Sequence, residues 1–133
     1  MHALILAAAV VIHPSLALAG NCNDAQTNLE MTNCAWADYK KADKELNDVW
    51  QKVIASIKST DEDIMPAAER TSWLNGMIAA QKAWATFKDN DCNIGIAHEW
   101  WGGSGASLST AACLRDHTQQ RIDELKERYG LGD

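Results

Sequence analysis

The sequence predicts an all-α fold: a three-helix antiparallel bundle with two long helices, a shorter third helix, and two disulfides clustered at one pole. Three observations predict it. Apolar residues recur at three- and four-residue steps along most of the chain, the spacing of helices that each bury one face. Two stretches interrupt that rhythm, an acidic one leading to Pro66 and a glycine-rich one around Gly102 and Gly103. The cysteines, Cys22, Cys34, Cys92 and Cys113, form an even set, which in a small exported chain reads as a disulfide framework.

Export is read from residues 1–19, which contain no Asp, Glu, Lys or Arg. Within them residues 3–12 are an unbroken apolar run that ends before Pro14, well short of the ~20 residues needed to span a bilayer as a helix. Ala17-Leu18-Ala19 supplies the small-x-small pattern of a signal peptidase site, so 1–19 is read as a signal peptide and 20–133 as a single helical domain. A lipid-modified cysteine is the competing use of Cys22, but such a site needs a small residue directly before it, and Asn21 is not one. Cys22 is therefore taken as a disulfide partner, and the protein as periplasmic or secreted without a stable membrane anchor.

The first helix is marked by Met31, Ala35, Tyr39, Ala42, Leu46, Val49, Trp50, Val53 and Ile57, one continuous apolar stripe. Thr27-Asn28-Leu29-Glu30 fits a capping box at its start, in which a hydroxyl and a carboxylate satisfy otherwise orphaned backbone N–H groups. The helix should end near Ser59. The linker Ser59-Thr60-Asp61-Glu62-Asp63 is polar and solvated, and Pro66 is tolerated in the first turn of a new helix but not deep inside one. The second helix carries Trp73, Met77, Ala80, Trp84 and Phe87 on one face and runs into Asp89-Asn90-Asp91-Cys92. After the glycine-rich stretch the pattern resumes from about Thr110 with Leu114, Thr118, Ile122, Leu125 and Tyr129, and Gly130 supplies a stop.

Two long helices joined by a short connection pack antiparallel, and the third closes the groove between them. That topology brings the four cysteines to one end. Cys22–Cys34 with Cys92–Cys113 is the simplest of the possible connectivities, since each bridge ties a loop to a neighbouring helix. On one straight helix Cys22 and Cys34 would stand ~18 Å apart, so this pairing requires the chain before Thr27 to fold back. A metal site built from Cys92, His98, Cys113 and His117 is the alternative use of the same residues. No Cys-x-x-Cys pair accompanies it, and oxidising compartments favour disulfides, so neither a metal nor a cofactor is expected.

The formal net charge of −6 falls wholly on the domain. It argues against nucleic acid and anionic membrane as partners and suits a basic protein partner. His98-Glu99 and Asp116-His117 could pair for acid–base work, yet no nucleophile motif or phosphate loop accompanies them. The chain therefore reads as a binding protein rather than an enzyme. Asp43 and Asn47, with Lys88 and Asp89, read as a polar contact between helices.

The candidate binding element is the loop 98–107, with Trp100, Trp101, Gly102, Gly103 and Ser104 as the partner-binding residues. Adjacent tryptophans followed by glycines present large aromatic surface on a backbone that a partner can approach closely. The competing reading is that one of these tryptophans caps the helical core. Trp36, Trp50, Trp73 and Trp84 lie in helices and read as packing residues.

Cys22, Thr27, Glu30, Met31 and Cys34, followed by Ala42-Asp43 and Leu46-Asn47, form one part of a wider pattern. Gln81-Lys82-Ala83-Trp84, Lys88-Asp89, Cys92, Gly102-Gly103-Ser104, Cys113, Thr118, Arg121 and Leu125 complete it. Together they resemble the LprI-type lysozyme-inhibitor N-terminal domain of bacterial exported proteins, over essentially the whole chain after residue 19. Lys88 departs from the arginine common there. The resemblance implies export, an all-helical fold and, in at least one branch, inhibition of lysozyme; it supplies no contact residues. Two functions follow as expectations: a protein that blocks a basic, lysozyme-type peptidoglycan hydrolase, or an envelope module that binds another envelope protein without such inhibition.

Overall fold

A short 3₁₀ turn, Cys22–Asp24, precedes three helices in the computed structural model, which describes residues 22–132: α1 (Asn28–Lys58), α2 (Ala67–Asn90) and α3 (Ala106–Tyr129). No strand occurs among the described residues. Residues 1–19, where the sequence leads one to expect a signal peptide, lie outside them. No described helix is long and apolar enough to cross a membrane.

The capping box forms as expected. The Thr27 hydroxyl accepts from the Glu30 backbone N–H at 3.2 Å, and the Glu30 carboxylate accepts from the Thr27 and Gln26 backbone N–H groups, both at 3.0 Å. From there α1 runs 31 residues, about 46 Å at 1.5 Å per residue. Ala35, Ala42, Leu46, Val49, Val53 and Ile57 are buried along it, whereas Met31, the first member of the expected stripe, is exposed.

A solvent-facing linker turns the chain between α1 and α2, and Arg70 holds it closed. Its guanidinium donates to the Thr60 carbonyl at 2.6 Å and to the Glu62 carboxylate at 3.2 Å. Pro66 lies one residue outside the helix, as its N-cap. At the far end, Gly130 closes α3 in the left-handed conformation, φ 59°, and Leu131 N–H bonds back to the Lys126 carbonyl at 3.0 Å. That is the helix stop its sequence position implied.

The core is built mainly between α1 and α3. Val53 and Ile57 meet Ile122 and Leu125, all four with no accessible surface, and burying an aliphatic side chain of this size contributes about 1.5–3 kcal/mol. Helix α2 covers this pair through large side chains: Met77 is buried, and Trp73, Leu74 and Trp84 are partly buried against the core. Trp73 stacks on Tyr129 with ring centroids 6.1 Å apart. Bulky contact residues set a wide spacing between helices, consistent with α2 approaching less closely than α1 and α3 approach each other.

Three features depart from the sequence reading. The inward face of α2 is Trp73, Met77, Gln81, Trp84 and Lys88, while Ala80 and Phe87 of the expected face are exposed. The third helix, expected to be the shorter, begins at Ala106 rather than near Thr110 and equals α2 at 24 residues. Its start is possible because Gly105 can serve as N-cap and Ala106 and Ser107 can enter a helix. Finally, α2 does not stop at the Asp89–Cys92 run. A π-helical turn, Asp91–Ile96, and one further helical turn, Ala97–Glu99, carry it on to the glycine-rich loop.

Candidate functional site

Both disulfides form, Cys22–Cys34 and Cys92–Cys113, each with Cα atoms 5.6 Å apart. The 3₁₀ turn supplies the fold-back that lets Cys22 reach α1. A hydrogen bond from Trp36 Nε1 to Ser107 Oγ, 3.0 Å long, joins the start of α1 to the start of α3. The N-terminal end of α1, the end of α2 and the beginning of α3 thus meet at one pole, where the four cysteines lie.

The π-helical turn decides what α2 presents there. A π turn inserts an extra residue, which changes the direction of the side chains that follow. Consecutive residues Asp91 and Cys92 both reach α3: Cys92 bonds Cys113, and Asp91 Oδ2 lies 2.9 Å from His117 Nε2. Phe87, one turn earlier, sets its ring edge-to-face with His117 at 5.3 Å. His98 instead turns back along its own helix, with Nδ1 2.8 Å from the Ile94 carbonyl. The Cys92–His98–Cys113–His117 metal set considered from the sequence is therefore not assembled: both sulfurs are in a disulfide, and His98 faces elsewhere.

Beyond the last helical turn the chain enters the tryptophan loop. Trp101 N–H bonds to the His98 carbonyl at 3.1 Å, Gly103 N–H to the Trp100 carbonyl at 2.7 Å, and Ala106 N–H to the Gly103 carbonyl at 3.0 Å. These successive turns need glycine at defined places. Gly102 has φ 72°, and a Cβ on Gly103 would lie 2.9 Å from the Trp100 carbonyl oxygen. A Cβ on Gly105 would run into the Trp100 ring itself. Trp100 therefore lies folded against the Gly105 backbone and is 47% exposed.

Trp101 behaves differently. It is the one non-glycine residue with positive φ among the described residues, at 45°, and its side chain is 95% exposed. A bulky residue held in the left-handed region is strained, and such strain concentrates at functional positions. The two tryptophans that the sequence offered as a pair thus separate: Trp100 packs against its own loop and Trp101 projects into solvent. Gly102, Gly103 and Ser104 are exposed beside it.

A second constellation, not read from the sequence as buried, docks α2 onto its neighbours. The Lys88 ammonium donates to the Tyr39 hydroxyl at 3.2 Å and lies 5.2 Å from the ring centroids of both Tyr39 and Trp84. Asp43 and Asp89 carboxylates stand 4.0 and 3.7 Å away, which realises the expected polar contact between Asp43 and Lys88. On α3, Arg121 donates to Gln81 at 2.9 Å and Glu124 at 2.8 Å, with its guanidinium 5.9 Å from the Trp84 ring centroid. Lys88 and Arg121 are buried, and a buried charge persists only where partners replace water. Trp84 lies beside both cations, so Gln81, Trp84, Lys88 and Arg121 hold the helices together.

A family model described as "Lysozyme inhibitor LprI" matches residues 19–125, a span that includes all four cysteines, the buried cations and the tryptophan loop. An uncharacterized protein of Rhizobium meliloti (strain 1021) is 32% identical over 108 residues, covering 80% of this chain and 77% of its own length. No solved structure matches significantly. The two disulfides and the family match together fit an extracytoplasmic protein. By this match over most of its length, the chain belongs to the LprI lysozyme inhibitor family.

Proposed function

We propose that this protein is an exported inhibitor of a basic, lysozyme-type peptidoglycan hydrolase, and that it binds the enzyme through the loop carrying Trp101. The observation that carries the reading is Trp101 itself, 95% exposed on a backbone of φ 45°. An indole left in water is costly for one protein alone and valuable to a complex, in which tryptophan is enriched among the residues that dominate binding. The loop is also preorganised. The Cys92–Cys113 bridge joins its two flanking helices, and Trp100 seated on Gly105 limits its motion, so little ordering entropy remains to oppose association.

The target chemistry fits. A glycoside hydrolase cleft is shaped for sugar rings and flanked by two carboxyl groups, so the stretch from Trp100 to Gly105, which has no charged side chain, can enter it without bringing a third negative charge between them. The net charge of −6 on the rest of the domain complements a basic rim and favours fast encounter. Gly102, Gly103 and Ser104 allow close backbone approach beside the indole.

Titration of the oxidised protein into a lysozyme activity assay tests the proposal. Stoichiometric loss of activity is expected, with Trp101→Ala much weaker. Undiminished activity at a large excess of folded protein, across basic lysozymes of several structural types, would overturn it.

A further inference from the structure

The end of α2 and the start of α3 hold four potential metal ligands that the binding loop does not use. Asp91, Cys92, Cys113 and His117 each offer a ligand atom, and all four atoms lie within 4.8 Å of one another. The grouping follows from the backbone. Cys113 and His117 are four residues apart on one face of α3, while the π-helical turn places the adjacent Asp91 and Cys92 opposite them. All four sit on hydrogen-bonded helical turns, which position ligands more closely than loops do. Asp91 and His117 are already engaged with each other at 2.9 Å, and Asp91 Oδ2 stands 4.0 Å from Cys113 Sγ.

We propose that the Cys92–Cys113 pair is also a redox-gated metal site. Once the disulfide is reduced, Asp91, Cys92, Cys113 and His117 bind one zinc-type divalent cation. The reductant is a dithiol: its two sulfurs become a disulfide, its two electrons break the Cys92–Cys113 bond, and its two protons pass to the freed sulfurs. The metal then displaces those protons, and two thiolates, one imidazole nitrogen and one carboxylate oxygen complete a four-coordinate shell. Two sulfurs with one nitrogen and one oxygen suit zinc or cobalt(II) and not magnesium or calcium, which prefer oxygen alone. In either redox state the same two elements are cross-linked, by sulfur or by metal, beneath the tryptophan loop. The proposal stands independently of the target of that loop.

The test uses a chain carrying Cys22→Ser and Cys34→Ser, so that the other pair contributes no thiol. The protein is reduced with a dithiol, freed of reductant under nitrogen and titrated with cobalt(II), with circular dichroism recorded alongside. The expected result is a thiolate-to-cobalt absorption band in the near ultraviolet and visible bands of four-coordinate cobalt, saturating at one metal per chain and bleached by zinc. Second-shell changes alone weaken metal sites by about 10–100-fold, so Asp91→Ala and His117→Ala should each weaken binding by at least ~10-fold. His98→Ala should leave it unchanged. Absence of the thiolate band overturns the proposal, as does a band indifferent to both Asp91→Ala and His117→Ala. A reduced chain that loses its helical signal and does not recover it with cobalt overturns it too.

Discussion

Lys88 on α2 donates a hydrogen bond to the Tyr39 hydroxyl on α1 at 3.2 Å, fastening the two helices near the disulfide pole through a buried cation. The neighbouring Trp84 ring, 5.2 Å away, and two partly exposed carboxylates complete its surroundings. Replacing Lys88 by Met removes the charge-assisted bond and both ring contacts while conserving much of the volume. A loss of about 2 kcal/mol is expected in urea unfolding, the scale of one such bond plus a desolvated cation–π contact. Lys88→Arg keeps the charge and should lose less than half as much.

Trp101→Ala should leave stability within about 0.5 kcal/mol of the parent, as exposed positions do, and cost at least ~2 kcal/mol in binding a susceptible lysozyme. Calorimetric titration together with a urea melt separates the two effects. Trp100→Ala should show the opposite balance, with a measurable loss of stability, because its ring covers Gly105.

Loss of the Cys92–Cys113 bridge through paired serine substitutions should destabilise the oxidised domain by about 2–5 kcal/mol, the usual range for a small secreted domain. A shift in the urea midpoint measures it. Inhibition should decline as well, even where the chain remains folded, because the loop loses its covalent closure.

Glu30 gives an acid-side signature. Its carboxylate accepts the backbone N–H of Thr27 and then that of Gln26, with a smaller contribution from the Thr27 hydroxyl, and these bonds hold its pKa below the ordinary glutamate value. A depressed folded-state pKa makes this contribution fully present above the unfolded-state pKa and removes it as pH falls through the lower, folded one. Glu30→Gln keeps an oxygen acceptor for the capping box but cannot titrate. Its stability should fall less steeply on acidification over that window, which equilibrium unfolding at a series of pH values measures.

Association rates should fall steeply as salt rises if the acidic surface steers a basic enzyme. Stopped-flow measurements with the parent and with Asp61, Glu62 and Asp63 neutralised together distinguish general acidity from these positions. Retention of the salt dependence in the triple variant is the expected result, because the linker lies at the α1–α2 turn, and the tryptophan loop follows the far end of α2.

The α1 face was legible because its buried positions are all apolar, and the α3 face because Leu114, Ile122 and Leu125 keep the helical step even though Thr110, Thr118 and Arg121 share it. The capping box was legible because Thr27 and Glu30 are local partners. Helix α2 was harder. Its inward stripe includes Gln81 and Lys88, whose polarity broke the apolar period and shifted the expected face toward Ala80 and Phe87. Arg121 entered only as a member of the family pattern, and its burial was not readable for the same reason: that burial depends on Gln81, Glu124 and Trp84 arriving from two helices. At the site, the Trp-Trp-Gly-Gly pattern located a loop, but no residue type distinguishes a folded-back Trp100 from a projecting Trp101. That difference arises from the contact with Gly105 and from φ at Trp101. The π-helical turn had no readable mark, since Asp91–Ile96 contains nothing that an ordinary helix would refuse.

The Cys92–Cys113 bond, 21 residues apart in sequence, makes the tryptophan loop part of a closed covalent ring. A protease that nicks the chain after the exposed Trp101 opens that ring yet liberates no fragment. The pieces remain tethered through sulfur, and α3 stays seated through Ile122 and Leu125 against Val53 and Ile57. Nicked protein should migrate as one species without reductant and as two with it. Among extracytoplasmic proteases, the most accessible side chain of the loop can therefore be cut beside without shedding α3.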